Sequence, residues 1–154
     1  QRYAVAAPGA SDPRFKAFVA FSPSPGQVPN AFIGVTRPFL AITGSHDRDP
    51  LRDSLTGEDR ARVYDSLPQG RRGLLWLAGA DHMTFGGNAE QRLRDRVGPL
   101  KREPVAVEDE ELHHARVATI TTLWWRAHLL GDAAAVARLR APAGLGGGDR
   151  WSQD

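Results

Sequence analysis

The chain has 154 residues, of which 41% are apolar and 25% are charged, a composition typical of a globular domain rather than a disordered segment. Twenty basic and 18 acidic residues are interleaved and leave a net charge of +2, so no basic cluster predicts nucleic-acid binding. The absence of cysteine excludes a disulfide framework, a cysteine nucleophile and thiolate metal ligands, but it leaves the cellular compartment open.

Three short segments have the composition of buried β-strands. They span residues 16–21, 38–43 and 73–78, and each is nearly all apolar instead of alternating apolar with polar side chains. Strands that are apolar on both faces are typical of parallel sheets covered on both sides by helices. The sequence therefore predicts an α/β fold with three parallel strands and flanking helices.

A helix is predicted between the second and third of these strands. Thr56-Gly57-Glu58-Asp59 resembles a capping box, in which the first and last side chains each accept a hydrogen bond from the other residue's backbone. Ala61, Tyr64 and Leu67 follow at helical spacing, and Pro68-Gln69-Gly70 ends the segment. Strand, helix and strand in this order form a βαβ unit with a right-handed crossover.

Further helices are predicted after the third strand, over residues 89–97, about 107–130 and 133–139. One apolar stripe of the longest helix would cover a face of the sheet. Its members are Leu112, Val117, Ile120, Leu123, Trp124, Ala127 and Leu130.

No apolar run reaches the roughly 20 residues of a membrane span, so no membrane span is expected. We expect one domain over residues 1–140 and a flexible, glycine-rich tail over residues 141–154.

Two strand ends carry the residues most suited to catalysis. The second predicted strand runs into Gly44-Ser45-His46-Asp47, and the third runs into Gly79-Ala80-Asp81-His82. The carboxyl ends of parallel strands converge on the crevice where α/β proteins carry out their chemistry. A histidine there acts as a general base when a carboxylate accepts its Nδ1 proton and stabilises the imidazolium. We therefore predict that Asp47 orients His82 and that both are catalytic.

Other interpretations compete for the same residues. Asp49 is a second candidate acid, but Pro50 after it favours a cap on a helical turn. Asp81 is predicted to bond the local backbone before His82. A metal site at His46, Asp47 and Asp49 is disfavoured because a second set of ligands is missing. We expect no metal and no cofactor.

These motifs resemble the C-terminal half of an α/β-hydrolase, nearest to the dienelactone-hydrolase-like esterases. The similarity lies in the order strand, Gly44-x-x-Asp47, helix, strand, Gly79-Ala80-Asp81-His82, and residues 122–132 are similar to the last helix of that group. The resemblance covers roughly residues 14–140. It implies that the predicted strands are the last three of a hydrolase sheet, with Asp47 as triad acid and His82 as triad base. It also implies a serine esterase that cleaves small-molecule or polymeric esters through an acyl-enzyme.

The nucleophile of such a triad is missing from the sequence pattern. A nucleophile elbow has the form G-x-S-x-G between a strand and a helix, and the nearest match, around Ser11, is followed by Asp12-Pro13 where a helix should start. We therefore expect the nucleophile segment to lie upstream of Gln1 and the 154-residue chain alone to be inactive. The missing N-terminal half would then be its partner.

Two further hypotheses stay open at this stage. The chain could be a non-catalytic α/β module that binds another polypeptide through the exposed edge of its first strand. Alternatively, the same fold could use an aspartate as nucleophile. Phe21 and Ser22 follow the first strand and would rim the cleft, although a plain turn explains them equally well. His113-His114 is predicted to be a solvated or capping pair.

Overall fold

A computed structural model of the chain describes residues 12–26, 31–49, 55–86 and 102–154. The predicted helix at residues 89–97 and Ser11 lie outside these ranges. The elements in chain order are strand β1 (Phe18–Phe21), strand β2 (Phe39–His46), helix α1 (Gly57–Ser66), strand β3 (Arg72–Asp81), a 3-10 turn (His82–Phe85), helix α2 (Pro104–Glu108), helix α3 (Glu110–Leu130), helix α4 (Ala133–Arg140) and strand β4 (Arg150–Gln153).

The four strands form one sheet in the order β1-β2-β3-β4. β1 pairs with β2, and β2 with β3, in parallel, with Phe18 opposite Phe39 and Leu40 opposite Gly73. β4 pairs antiparallel with β3. The α/β class is confirmed, but the sheet is mixed and four-stranded, not the three-stranded parallel sheet that the sequence predicted.

The extra strand comes from the segment that was predicted to be a loose tail. Arg150–Gln153 pairs with β3, and Trp151 packs against the main hydrophobic core. Asp149 accepts a hydrogen bond from Ala78 N at 3.0 Å, and Asp154 accepts one from Arg72 Nε at 2.9 Å. The expectation of a tail was wrong for these residues because one aromatic anchor and two carboxylates bind them to the sheet.

Helix α3 covers one face of the sheet, but only the middle of its predicted stripe is buried. Ile120, Leu123, Trp124 and Ala127 belong to the core together with β2 and β3 residues. The two ends of the stripe, Leu112 and Leu130, are instead exposed. Gly131 adopts a left-handed conformation with φ 65° and ends the helix, and Asp132 caps α4, so the two helices divide between the predicted ranges 107–130 and 133–139.

Helix α1 packs beside the end of β2. The predicted capping box is present, because Thr56 Oγ1 accepts from Asp59 N at 3.2 Å and Asp59 Oδ2 accepts from Thr56 N at 3.1 Å. The buried face is formed by Gly57, Arg60, Val63 and Leu67. This face shares Leu67 with the predicted one, but Gly57, Arg60 and Val63 take the place of Ala61 and Tyr64. An arginine is therefore buried.

Glycine is required where α1 meets β2. A Cβ on Gly57 would lie 2.0 Å from the carbonyl oxygen of Gly44, and a Cβ on Gly44 would lie 2.4 Å from the carbonyl oxygen of Ala80. Real side chains do not approach backbone this closely, so these two glycines allow α1, β2 and β3 to meet at one end of the sheet. That end carries the predicted catalytic residues.

Candidate active site

Asp47 and His82 each follow a parallel strand directly. Asp47 comes after β2, whose register with β3 shifts between Gly44 and His46, and His82 begins the 3-10 turn after β3. His46 is paired with Asp81 across the two strands. Because β2 and β3 are neighbours and run in the same direction, both residues lie at the same edge of the sheet.

The two side chains are in direct hydrogen-bond contact. His82 Nδ1 lies 2.7 Å from Asp47 Oδ1. A carboxylate only accepts hydrogen bonds, so the Nδ1 nitrogen carries the proton and donates it to Asp47. In the neutral imidazole this leaves the lone pair on Nε2. The His82 side chain is 33% exposed whereas that of Asp47 is fully buried. Nε2 therefore belongs to the more accessible of the two side chains.

Four donors converge on the Asp47 carboxylate. Oδ1 accepts from His82 and lies 3.2 Å from Arg60 Nε, and Oδ2 accepts from Ser22 Oγ at 2.7 Å and Thr43 Oγ1 at 2.8 Å. Three hydrogen bonds and one ion-pair contact therefore stabilise the buried carboxylate. Ser22, Thr43, Asp47, Arg60 and His82 are called the Asp47 cluster below.

Arg60 is a member of this cluster that sequence reasoning missed. Its side chain is 2% exposed, and it reaches the ends of two strands at once. Nε donates to the backbone carbonyl of Asp47 at 3.1 Å, and Nη1 donates to the carbonyl of Ser22 at 2.7 Å. The only sequence signal for this role was its place directly after the capping box, where an arginine is usually solvated.

Ser22 lies in an unusual backbone conformation at the end of β1. Its φ of 47° makes it the one residue other than glycine with positive φ among the described residues. Such a conformation is strained for serine, yet the hydroxyl reaches Asp47 and the carbonyl reaches Arg60. The sequence left Ser22 open between the rim of a cleft and a plain turn, and the structure places its hydroxyl against the Asp47 carboxylate.

A second network holds the turn that carries His82. Arg102 Nε donates to Asp81 Oδ2 at 3.0 Å and its Nη1 donates to Glu110 at 3.0 Å, while Asp81 Oδ1 accepts from Thr84 N at 2.9 Å. Asp81 thus bonds the local backbone, as predicted. Asp81, Thr84, Arg102 and Glu110 are called the Asp81 cluster.

The charge of Asp81 is stabilised despite its burial. Burial by itself raises the pKa of Asp81, but the hydrogen bonds from Arg102 and Thr84, with the charge of Arg102, outweigh it and hold the pKa below the ordinary carboxyl value. The reciprocal hydrogen bonds raise the pKa of Arg102 although burial opposes this. The pair is therefore ionised at neutral pH and fastens the turn to the start of α3.

Two histidines of α3 also contact this region. His113 is fully buried and its Nε2 lies 2.9 Å from the carbonyl oxygen of Ala78 in β3. His114 Nε2 lies 2.9 Å from the carbonyl oxygen of Thr84 in the turn. The expectation of a solvated or capping pair was wrong for His113, because the helix faces the strand end there.

The structure distinguishes between the two candidate acids. Asp47, not Asp49, bonds His82, and Asp49 N donates to the carbonyl of Leu55 at 3.2 Å. Phe21 is 47% exposed at the end of β1, which runs parallel to β2. The catalytic roles of Asp47 and His82 stay predictions, and their contact is what the structure adds.

No hydroxyl of the described residues bonds the Nε2 nitrogen of His82. Ser22 and Thr43 are the nearest hydroxyl partners in the network, and both donate to Asp47 Oδ2, the oxygen that His82 does not contact. In this geometry neither can give its proton to the imidazole. No described residue is therefore placed as a nucleophile beside His82, and Ser11 lies outside the described ranges.

Within residues 12–26, 31–49, 55–86 and 102–154, no group of three or more His, Asp or Glu side chains is arranged to hold a metal ion. Across the same ranges, the helices are too short or too polar to cross a bilayer.

No protein-family model matches the chain, and no curated protein matches it.

Proposed function

We propose that the chain supplies the acid and the base of an esterase with the α/β-hydrolase fold. The observation that carries this proposal is the 2.7 Å contact between His82 Nδ1 and the buried Asp47 carboxylate, at the carboxyl ends of two parallel strands. This contact sets the tautomer that a general base needs. The substrate would be a carboxylic ester, either a small molecule or a polymer.

The chemistry follows from the proton positions. His82 Nε2 takes the proton of a serine hydroxyl as the serine oxygen attacks the ester carbonyl, and Asp47 stabilises the imidazolium that forms. The imidazolium then gives that proton to the departing alcohol, leaving an acyl-serine. Water attacks the acyl group with His82 again as base, which releases the acid and restores the serine.

The nucleophile in this proposal comes from a segment other than those the structure describes. A serine in a G-x-S-x-G elbow is the expected form, and an aspartate in the same place is the alternative. A fluorophosphonate probe distinguishes the two, since it forms a stable adduct with an activated serine and not with a carboxylate. Mass spectrometry of the labelled protein then identifies the modified residue.

The test is an ester-hydrolysis assay of the protein made from the complete reading frame that encodes this chain. Hydrolysis of p-nitrophenyl butyrate is compared for the wild type, His82→Gln and His114→Gln. His114 is the matched control, because it is an exposed histidine of α3 that contacts the turn carrying His82. We expect His82→Gln to abolish turnover and His114→Gln to retain it. Turnover unchanged in His82→Gln, or none in the wild type, would contradict the proposal.

One observation supports a second candidate, a module that binds another polypeptide along β1. All four residues of β1 are partly or largely exposed, although the strand is apolar, and among the described residues it pairs only with β2. An edge of this kind is a template for a further strand. Binding through β1 would not depend on His82, so the same His82→Gln variant separates this role from catalysis.

A further inference from the structure

Arg60 bridges the two strand ends that build the candidate site. Its guanidinium contacts Asp47 Oδ1 at 3.2 Å, the Asp47 carbonyl at 3.1 Å and the Ser22 carbonyl at 2.7 Å. These acceptors lie 13 and 38 residues away in sequence. One rigid side chain from α1 therefore ties the end of β1 to the end of β2.

The position of Arg60 is itself fixed by its helix. The capping box sets the first turn of α1, and the contact of Gly57 with Gly44 brings that turn against β2. Arg60 lies one turn later on the same buried face. Its guanidinium therefore approaches Asp47 from one defined direction.

This direction determines which carboxylate oxygen faces His82. Arg60 Nε shares Oδ1 with His82 Nδ1, while Ser22 and Thr43 hold Oδ2. The carboxylate is thereby prevented from turning about its Cβ–Cγ bond, and Oδ1 stays in line with the imidazole. We infer that Arg60 is a positioning residue for the acid–base pair, acting through Asp47 and not on the substrate.

This inference rests on the proposed function only for the catalytic use of the Asp47–His82 pair. The role of Arg60 is more than charge compensation, because its two contacts to backbone carbonyls come from different nitrogens of one planar group. Lysine keeps the charge but has a single nitrogen and no fork. If Arg60 only neutralised a buried carboxylate, Arg60→Lys would behave as the wild type does.

The test is a nitrogen–proton NMR spectrum of the full chain with ¹⁵N-labelled histidine. The Nδ1–H signal of His82, identified by its loss in His82→Gln, reports directly on the bond to Asp47. We expect Arg60→Lys to shift or abolish this signal. Arg116→Lys is the matched control: Arg116 is also a mostly buried arginine that binds one carboxylate, Asp149, and one carbonyl, Gly144. We expect it to leave the signal in place. A wild-type signal in folded Arg60→Lys would overturn the inference.

A second measurement applies if Arg60→Lys does not fold. In the wild type, Arg60 Nε and His82 Nδ1 lie 3.2 Å and 2.7 Å from the same Asp47 oxygen, so a nuclear Overhauser effect between the protons on these two nitrogens is expected. Its absence, with both signals present, would overturn the inference without any variant.

Activity gives an independent readout. In the ester assay, Arg60→Lys should lower kcat about 100-fold and change KM by less than about twofold, as misplacement of a catalytic group does. A His82 signal that depends on Arg60, in a protein without esterase activity, would support the positioning role and overturn only the proposed function. An unchanged kcat in an active enzyme would overturn the positioning role alone.

Discussion

Two buried aspartate–arginine pairs lie at the same end of the sheet, one at the end of β2 and one at the end of β3. In the Asp81 cluster, the carboxylate bonds Arg102 and the backbone of the turn, and Arg102 continues to Glu110. In the Asp47 cluster, the carboxylate bonds Arg60, two hydroxyls and the imidazole of His82. The first network fixes the local backbone of the turn, whereas the second ends on the partly exposed imidazole of His82.

The difference shows that a buried ion pair does not by itself mark a functional site. Both pairs satisfy the requirement that a buried charge be compensated and hydrogen-bonded. Only the Asp47 cluster contains a titratable group whose second nitrogen, Nε2, has no hydrogen-bond partner among the described residues. The four predictions below separate the two clusters, in order of decreasing expected effect.

The largest effect is expected from comparing Asp47→Asn with Asp81→Asn. Asparagine at position 47 favours the wrong His82 tautomer, and loss of the acid costs about 10⁴-fold in kcat in triad enzymes. It also leaves the Arg60 charge buried without its carboxylate, which costs about 3–5 kcal/mol of folding free energy. Ester hydrolysis and urea unfolding measure the two losses.

Asp81→Asn should be milder in both respects. Arg102 keeps Glu110 as a partner, so the loss of stability is smaller, and kcat of the folded protein should fall less than about tenfold. Equal losses of kcat in the two variants would contradict the assignment of Asp47, rather than Asp81, to the acid.

Gly57→Ala tests whether the approach of α1 to β2 supports the Asp47 cluster. The added Cβ would lie 2.0 Å from the Gly44 carbonyl oxygen, so α1 must shift, at a cost of about 1–3 kcal/mol. The shift should also displace Arg60 and lower kcat. Gly34→Ala is the control, because a Cβ there meets nothing within 4 Å, and thermal unfolding compares the two. A wild-type Tm in Gly57→Ala would show that the contact is easily relieved.

Thr43→Val removes one hydroxyl from Asp47 without changing the shape of the side chain. Because hydrogen bonds to charged groups contribute about 1.5–3 kcal/mol, stability should fall by this amount, and kcat should fall as the carboxylate gains freedom. Thr43→Ser keeps the hydroxyl and should recover kcat. Thr84→Val removes the corresponding bond to Asp81 and should lower stability with little loss of kcat. Chemical denaturation and the ester assay distinguish these results.

The smallest effect is a pH dependence of stability from the Asp81 cluster. Burial alone would raise the pKa of Asp81, but Arg102 and Thr84 outweigh it, so the pKa in the folded protein is below the ordinary value. The unfolded chain therefore binds the Asp81 proton more tightly than the folded chain does. The stabilisation is complete above the unfolded pKa of about 4 and is lost as the pH falls through the folded pKa. Urea midpoints between about pH 5 and pH 2 should fall less steeply in Arg102→Met. An equal slope in both proteins would rule out this origin.

The sequence could predict the meeting of Asp47 and His82 because it follows from strand direction. Both residues come after apolar strands joined by a helix, and such strands run in parallel and end at the same edge. Arg60 was not predictable in this way, because its acceptors come from two segments distant in the chain and burial of an arginine has no periodic signal. The helical spacing of Ala61 and Tyr64 indicated a different buried face.

Strand β4 was missed for a related reason. Four residues after a glycine-rich run carry too little alternation to indicate a strand, and the pairing depends on contacts of Asp149 and Asp154 with β3 and its flank. Trp151 was the one available signal, since an aromatic residue in a tail is costly to leave in water. Local pattern therefore predicted the parallel strands, while the antiparallel strand depends on tertiary contacts.

The pairing of β4 also covers part of the edge of β3. β3 is ten residues long and mostly buried, and β4 occupies its outer hydrogen-bonding edge over Gly73 to Trp76. A bare apolar edge of this kind recruits strands from other molecules. Residues 150–153 therefore keep this stretch of β3 from pairing with a strand of another molecule.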